Sequence, residues 1–416
     1  MPKSTPTAVT LKPYDGFPLT AHRGANQWCK KFRGDTYYFG ALADWKAAKD
    51  KYDHDWPYII KGLTPPVRSA DEDACTLRTL CNLFLESKRN KVDAGELTEN
   101  SYRDYYATCK KLIDHFGVTR RVDDLRPVDF EAFRAKLAGR FSVQTLLNVV
   151  NRCRVVFNYA WQQQLIPKPV HYGQSFNRPS KQVRRKARYA AGVLKFSADE
   201  IRSILDALDG KPVVVKGQDE PVKLKADPQL KAMTLLGING GLGVTDCGCL
   251  CESHIDFTIG WMDYPRVKTG IPRRFPLWTE TIEAIKEVLA SRKAPRDPAD
   301  EGIVFLTRTR RRWVRIKYGS KPEEHASINA VSEAFGKVLK TLHINGRKRL
   351  NFYTLRRQFE IVAGDSRDQV AVNAIMGHVD DSMAAVYRQN QIGDDRLRDV
   401  VMHVHDWLFG EQNQHG

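Results

Sequence analysis

Two polar stretches divide the chain into segments with different hydrophobic patterns. LTPPVRSADED at residues 63–73 is rich in proline and charge, and NRPSKQVRRKAR at residues 177–188 carries six basic residues and no acid. Stretches of this composition usually connect domains rather than lie inside them. With 416 residues the chain is also too long for one ordinary core. We therefore predict a multidomain protein, mainly α-helical with small β-sheets.

The first two segments differ in their periodicity. Residues 1–65 alternate aromatic and polar residues between glycines, as in GANQWCKKFRGDTYYFGAL, and then take a helical period. This pattern predicts a small β-sheet with one helix. Residues 72–172 have a helical period throughout, with Thr98 as a candidate N-cap in TENSYRDYYATCKKLIDHFG. A compact bundle of four or five helices is predicted there.

The rest of the chain is expected to form a basic linker and a mixed domain. Residues 173–194 contain the basic stretch, which is either a solvated linker or a strap along phosphates. Residues 195–416 begin with a capping box of Ser197 and Glu200. This last domain contains a strand–turn–strand section at residues 254–278 between helices, so we predict an α+β fold.

The charge balance points to a polyanionic partner. The chain has 66 Lys and Arg against 49 Asp and Glu, for a net charge of +17. Nucleic acid is the commonest partner of such a chain. A membrane is not expected, because no apolar run approaches the ~20 residues of a spanning helix. Zinc sites usually take a second C-x2-4-C pair elsewhere in the chain, and this sequence has none, so we expect no metal at Cys247, Cys249 and Cys251. The cysteines are otherwise scattered, and reduced thiols indicate a cytoplasmic protein.

Basic residues concentrate in three places. Clusters without acids and with interleaved aromatics favour phosphate-backbone contact over a merely solvated face. The candidate DNA-binding residues are Lys30, Lys31 and Arg33 near the N-terminus, Arg178, Lys181, Arg184, Arg185, Lys186 and Arg188 in the linker, and Arg308, Arg310, Arg311, Arg312 and Arg315 in TRTRRRWVRIK.

Four separated residues of the last segment suggest chemistry. Lys268 lies at a glycine turn in PRVKTGIPRRFPL, and Arg356 lies one step into a helix in NFYTLRRQFE. His378 and Tyr387 both belong to GHVDDSMAAVYR. Taken singly, each is more often structural, and the helical spacing around Tyr387 favours core packing.

In this order and spacing the four residues resemble the tyrosine recombinase (phage integrase) family. The resemblance covers essentially the whole chain and is most specific from Asn351 to Tyr387. It implies an N-terminal arm-type DNA-binding module, a helical core-binding domain and a catalytic domain. It also implies a site-specific recombinase that breaks and rejoins double-stranded DNA through a 3′-phosphotyrosyl intermediate, without metal or other cofactor.

The resemblance also implies a role for each residue. Tyr387 is the nucleophile, and Arg356 holds the scissile phosphate. Lys268 donates a proton to the leaving 5′-oxygen, and His378 donates a hydrogen bond to a phosphate oxygen. Such cations and donors stabilise charge that develops on the phosphate in the transition state.

Two positions depart from the family pattern. In NGGLGVTDCGCL the acidic position is filled by Asp246, but Gly243 stands where the family has its first arginine. Tyr353 stands where histidine or lysine is usual, and its hydroxyl is still able to donate to phosphate. Arg266, two residues before Lys268, is the candidate replacement for the missing arginine, with Arg273 and Arg274 as the next choices.

Two other functions stay open on this evidence. A recombinase-derived DNA-binding protein with little or no cleavage would explain the glycine at position 243. A relaxing topoisomerase shares the phosphotyrosine chemistry, but the arm-type module favours recognition of several sites. The resemblance further implies a homotetramer on DNA, in which the C-terminal helix DDRLRDVVMHVHDWLF docks on a neighbouring protomer, and a bacterial, phage or mobile-element origin.

Overall fold

The computed structural model describes residues 12–63, 65, 74–215, 217–320, 325–344, 350–378 and 392–410. The chain divides into two compact units, Met1–Ala191 and Gly192–Gly416, so the division falls inside the predicted linker of residues 173–194. The finer boundaries predicted from the sequence stay a prediction.

The N-terminal unit opens with a three-stranded antiparallel sheet covered by one helix, as the aromatic–polar alternation predicted. The strands are paired in the order β1-β2-β3, and α1 follows them. Their bounds are β1 Thr20–His22, β2 Gln27–Phe32, β3 Asp35–Ala41 and α1 Trp45–Ile59. Phe17, Trp28 and Phe39 are buried between the sheet and the helix. Trp28, which sequence reasoning had placed in a DNA groove, is therefore a core residue.

Four amphipathic helices form the predicted bundle in the same unit. They are α2 Leu77–Asp93, α3 Glu99–Phe116, α4 Pro127–Arg140 and α5 Val143–Gln162. Thr98 caps α3 by accepting a hydrogen bond from Ser101 N at 3.2 Å, as predicted. The core between the helices is apolar and aromatic, with Phe84, Phe130 and Phe157 fully buried.

The basic stretch is a helix rather than an extended strap. The helix α6 spans Lys181–Ala191, and Ser180 Oγ accepts from Val183 N at its start. Arg, Lys and Ala favour helix, and no glycine or proline interrupts them here. None of its residues is buried, so its cations remain at the surface.

His115 makes the stability of this bundle depend on pH. Its ring stacks on Phe133 at 4.8 Å and meets Phe116 edge-on. Burial first, and Lys136 next, lower the pKa of His115 to about 4, with Lys61 acting in the same direction and Asp129 against it. Between pH 6.5 and 4 the unfolded chain therefore binds the proton and the folded chain does not, so stability falls as pH falls.

Replacing His115 with phenylalanine is expected to remove this pH dependence. The aromatic contacts stay, while the wild-type loss of about 2–3 kcal/mol between pH 6.5 and 4 disappears. Urea denaturation of the full chain at pH 7 and pH 4 measures the difference. The exposed His171, changed to phenylalanine, is the control and should keep the wild-type dependence. An identical acid loss in His115→Phe would contradict the prediction.

The C-terminal unit is built around one helix that is buried on nearly all sides. In α8, Pro228–Asn239, nine of twelve residues are buried, because KAMTLLGIN has almost no polar face. The helices around it are α7 Ala198–Leu208, α9 Val244–Gly248, α10 Thr279–Ser291, α11 Ala330–Thr341, α12 Tyr353–Gly364, α13 Gln369–Met376 and α14 Asp394–Phe409. The predicted capping box forms at α7, where Ser197 and Glu200 exchange hydrogen bonds of 3.1 and 2.8 Å.

Three small antiparallel sheets complete this unit. Two of them have two strands each, β4 Pro212–Val213 with β5 Val222–Lys223, and β9 Val314–Lys317 with β10 Ala326–Asn329. The third contains β6 Ile255–Asp256, β7 Trp261–Asp263 and β8 Arg274–Pro276, with the predicted turn between β7 and β8. Within the described ranges, no helix is long and apolar enough to cross a membrane.

The C-terminal helix packs on its own unit, and the expectation that it docks on a neighbouring protomer stays a prediction. The apolar side of α14 lies in the core, with Val400, Val401 and Val404 fully buried. Trp278 Nε1 donates to Val401 O at 3.1 Å, and Arg396 forms a two-point ion pair with Asp368. A helix held along its length in this way needs no partner subunit to bury its apolar face.

Candidate active site

The glycine-rich corner after α8 brings the backbone against the helix α12. Gly241 has φ +65, a conformation that favours glycine. A Cβ there would lie 3.2 Å from Phe359 and 3.6 Å from Arg356 Cγ. The stretch is thus a tight turn between two helices that holds the carbonyl of Gly241 next to Arg356, and it is not a nucleotide-binding loop.

Arg356 lies on the first turn of α12 and is 1% exposed. Its Nη1 donates to Gly241 O at 2.6 Å and its Nη2 to Met376 O at 2.7 Å, while its Nε has no acceptor among the described residues. Burial, and then the charge of Arg266, lower the pKa of its guanidinium. The residue that the resemblance assigns to the phosphate is thus an enclosed cation.

The end of α13 forms the next wall of the site. Gly377 caps the helix with φ +60, and His378 follows it, with its backbone N donating to Asn373 O at 2.9 Å. Arg266 Nη1 donates to Gly377 O at 3.2 Å. Burial, Arg356 and Arg266 lower the pKa of the half-buried His378, so the neutral imidazole is favoured. Arg356 and Arg266 therefore both hold the backbone on which His378 is carried.

Arg273 is the third arginine of the site and is the most enclosed. Its side chain has no exposed area, its Nη2 lies 3.3 Å from Asp246 Oδ1, and its Nε donates to Tyr264 O at 3.0 Å. Its alkyl chain passes under Gly377, where a Cβ would meet Arg273 Cδ at 2.9 Å. Neither Nη1 nor Nη2 has an acceptor with hydrogen-bond geometry among the described residues.

Taken together, these residues form an enclosed positive cluster. Arg266, Arg273 and Arg356 act on one another or on His378 as like charges. Burial first, and then Arg266, lower the pKa of Arg273, while Asp246 and Tyr264 act against them. Among the described residues, Asp246 is paired with Arg273, and Glu360 acts on His378. Cations gathered in low dielectric with few counter-charges favour binding of an anion with several oxygen acceptors.

Of the other predicted site residues, the structure describes Lys268 and Tyr353. Lys268 is exposed in the turn between β7 and β8, at the glycine turn where the sequence placed it. Tyr353, at the start of α12, is 45% exposed, and the guanidinium of Arg357 lies over its ring. Tyr387 lies outside the described residues.

Of the two next choices for the replacement cation, Arg273 lies in the cluster and Arg274 does not. Arg274 turns away from the cluster and pairs with Asp263 and Asp394. Sequence reasoning put Arg273 behind Arg266, because only the pairing of β7 with β8 shows which side chains of PRRFP point inward. Alternation on a strand was the available signal, since Arg273 and Phe275 share the buried face and Arg274 does not.

The candidate DNA-binding residues are a mixture of free and paired cations. Lys30 donates to Tyr52 and lies over the rings of Tyr52 and Trp56, which ties it to its own module. Arg312 pairs with Asp300 and donates to Ala299 O, so it is not a spare charge. The exposed members are Lys31, Arg33, Arg178, Lys181, Arg185, Lys186, Arg188, Arg308, Arg310 and Arg311, whereas Arg184 and Arg315 are half-buried.

The cysteine cluster does not form a site. Cys247 is fully buried, and burial raises the pKa of its thiol. Across the described parts of the chain, no group of three His, Cys, Asp or Glu residues is arranged to hold a metal ion.

Comparisons with known proteins agree with this arrangement. Residues 195–393 match the phage integrase family. The fold is similar to a lambda integrase dimer bound to a COC′ core site, at 14% identity and a TM-score of 0.53, over 90% of this chain and 95% of that one. It is also similar to a lambda integrase tetramer bound to a Holliday junction, at 13% identity and a TM-score of 0.53, over 88% and 96% of the two chains.

A transposon enzyme gives a further likeness. The Tn1549 transposon integrase in complex with a circular intermediate DNA shares 15% identity and a TM-score of 0.51, with 74% of this chain and 94% of that chain covered. A comparison with curated protein sequences finds no match. Residues 195–393, within the C-terminal unit, carry a domain of the phage integrase family, and the fold of the chain is similar to that of multidomain integrases.

Proposed function

We propose that this protein is a site-specific recombinase that cuts double-stranded DNA with Tyr387. The observation that carries the proposal is the enclosed cluster of Arg266, Arg273, Arg356 and His378, which lies in the family-matched region and suits a phosphate. Solved structures of similar fold hold DNA, one as a dimer and another as a tetramer. We extend DNA binding and tetramer assembly to this chain as part of the proposal.

The proposed step is an in-line displacement at phosphorus. The Tyr387 phenol gives its proton to water as its oxygen bonds to the scissile phosphorus, and the bond from phosphorus to the 5′-oxygen breaks. Arg356 neutralises the non-bridging oxygens, and His378 donates a hydrogen bond to one of them. Lys268 gives a proton to the leaving 5′-oxygen. The products are a 3′-phosphotyrosyl bond and a 5′-hydroxyl, and the reverse attack reseals DNA without loss of bond energy.

The exposure of Lys268 fits this proton transfer. Lys268 is exposed in the turn after β7, and an ammonium group is able to donate a proton to a leaving alkoxide. The cluster behind it carries charge but offers no such mobile proton, because guanidinium groups do not release theirs. Lys268 therefore supplies the proton, and the arginine cluster supplies the fixed positive charge.

A covalent adduct is the expected result with a suicide substrate. Duplexes are first selected by gel shift from a random pool and then made with a 5′-bridging phosphorothiolate, whose thiol product does not reseal. We expect an adduct stable in denaturant for the wild-type chain and none for Tyr387→Phe. Absence of the adduct from the wild type on duplexes that it binds would overturn the proposal.

The same substrates test Lys268. A thiolate leaves without protonation, so Lys268→Ala should cut the phosphorothiolate at nearly the wild-type rate and the ordinary phosphodiester about 10²-fold or more slowly. Equal losses on both substrates would contradict the assignment of Lys268 as the proton donor.

A second function is favoured by one observation, the glycine at position 243. In this second function the chain is a DNA-binding protein of recombinase ancestry, which binds recombination sites and does not cut them. Sequence-specific gel shifts without adduct, in both the wild type and Gly243→Arg, would support binding alone. Exchange of strands between two sites, rather than relaxation of a supercoil, separates the recombinase from a topoisomerase.

A further inference from the structure

We infer that Arg273 supplies the phosphate-binding cation that is missing at position 243. This inference rests on the proposed function, because it concerns the same phosphate. The carboxylate of Asp246 joins the two positions: its Oδ2 accepts from Gly243 N at 2.9 Å, and its Oδ1 lies 3.3 Å from Arg273 Nη2. The guanidinium of Arg273 and the backbone of Gly243 therefore contact the same carboxylate, that of Asp246.

Packing does not require the glycine at position 243. Its φ of −92 suits any residue, and a Cβ would have Asp246 Oδ2 at 3.5 Å as its one neighbour within 4 Å. Gly240, by contrast, has no room, because a Cβ there would meet Phe275 at 2.2 Å. Packing therefore does not exclude an arginine at position 243, and the inference is that a residue elsewhere in the chain supplies the positive charge.

The unmet donors of Arg273 distinguish it from its neighbours. Arg274 is already paired with two carboxylates, and half-buried Arg266 donates to a helix-end carbonyl. Arg273 has one hydrogen bond with good geometry and two η-nitrogens that lack one among the described residues. A phosphate with several oxygens offers the acceptors that these two η-nitrogens lack.

The enclosure of Arg273 does not argue against this role. Arg356, which the family pattern assigns to the phosphate, is equally enclosed at 1% exposure, and both arginines pack against the Met376–Gly377 backbone. The charge of Arg273 also lowers the pKa of Arg356, so the two guanidinium groups are near enough to interact and to share one phosphate.

The decisive experiment compares a charged with a neutral scissile phosphate. Arg273→Ala is expected to slow cleavage of a phosphodiester by about 10²–10³-fold relative to the wild type. On a methylphosphonate, which lacks the negative charge, the deficit should shrink to about tenfold or less. A defect of folding or positioning alone would slow both substrates by the same factor and would overturn the inference.

A rescue variant provides an independent test. Gly243→Arg added to Arg273→Ala returns a cation to the other side of Asp246, and we expect it to recover at least about tenfold of the lost rate. Gly243→Ala in the same background is the matched control and should recover nothing. No rescue, together with an unchanged substrate ratio, would show that Arg273 only supports the fold.

The outcomes separate this inference from the proposed function. If the wild-type chain forms no adduct, the proposed function fails; if it forms one and Arg273→Ala cleaves equally fast, only the inference fails. If Arg273→Ala does not fold, Arg273→Lys takes its place, because it keeps a charge beside Asp246. A larger loss on the phosphodiester than on the methylphosphonate supports the inference, and equal losses on both substrates overturn it. Arg274→Ala should leave that ratio at the wild-type value.

Discussion

Replacing Arg356 with alanine is expected to slow DNA cleavage by about 10³–10⁵-fold, the scale of a transition-state arginine in phosphoryl transfer. The reason is both charge and position. The guanidinium is held at two points by the carbonyls of Gly241 and Met376, so it needs no reorganisation when charge develops on the phosphate. The rate of adduct formation in a single turnover on the suicide substrate measures the effect.

Two further variants show whether the loss belongs to the guanidinium itself. Arg356→Lys keeps the charge but loses the two-point hold, so we expect a rate between those of alanine and the wild type. Arg357→Ala removes the adjacent arginine, which is exposed and lies over Tyr353, and should cost less than about tenfold. Gel shifts and thermal unfolding check that binding and folding persist. Cleavage by Arg356→Ala at the wild-type rate would refute the role.

Local patterns gave most of the elements and the ends of several helices. The aromatic–polar alternation predicted the small sheet, and the helical periods predicted the bundle, because both report a buried face within a few residues. Thr98 and Ser197 mark helix starts through hydrogen bonds to residues three positions later, so they are also visible in the sequence. The resemblance to a family, in contrast, was needed to connect Arg356 with His378.

The arrangement of the arginines was not predictable from spacing. Arg266 reaches a carbonyl 111 residues away, and Arg273 reaches Asp246 across a sheet and a turn. Such contacts depend on strand pairing and on how α13 ends, which no local pattern encodes.

The number of basic residues in a stretch was a poor guide to which of their side chains are free to contact DNA. Arg312 belongs to a run of basic residues, yet its partner Asp300 lies twelve residues earlier in the chain. Trp313 in the same run donates to Gln229 and packs on the core, so it is no base-stacking aromatic. The helix α6 is the opposite case, because its cations are mostly exposed and meet no acid on their own helix.

Changing Val401 to aspartate is expected to destabilise the C-terminal unit by about 3–5 kcal/mol, the scale of an uncompensated charge in a core. Val401 is fully buried on the inner side of α14, and its carbonyl already accepts from Trp278. Met402, the next residue, is 40% exposed. Met402→Asp is therefore the matched control and should stay within about 0.5 kcal/mol of the wild type.

Unfolding of the full chain, measured at several protein concentrations, decides whether α14 packs on its own unit or is supplied by a neighbouring protomer. A helix packed in its own chain makes the unfolding midpoint independent of protein concentration, whereas a helix supplied by a partner makes the midpoint rise with concentration. We expect no change in the wild-type midpoint over a hundredfold range of concentration without DNA. A midpoint that rises with concentration and loses this rise in Val401→Asp would restore exchange between protomers. The ties from Arg396 to Asp368 and from Trp278 to Val401 favour the first result, because both lie within one chain and close α14 onto the helices that carry Arg356 and His378.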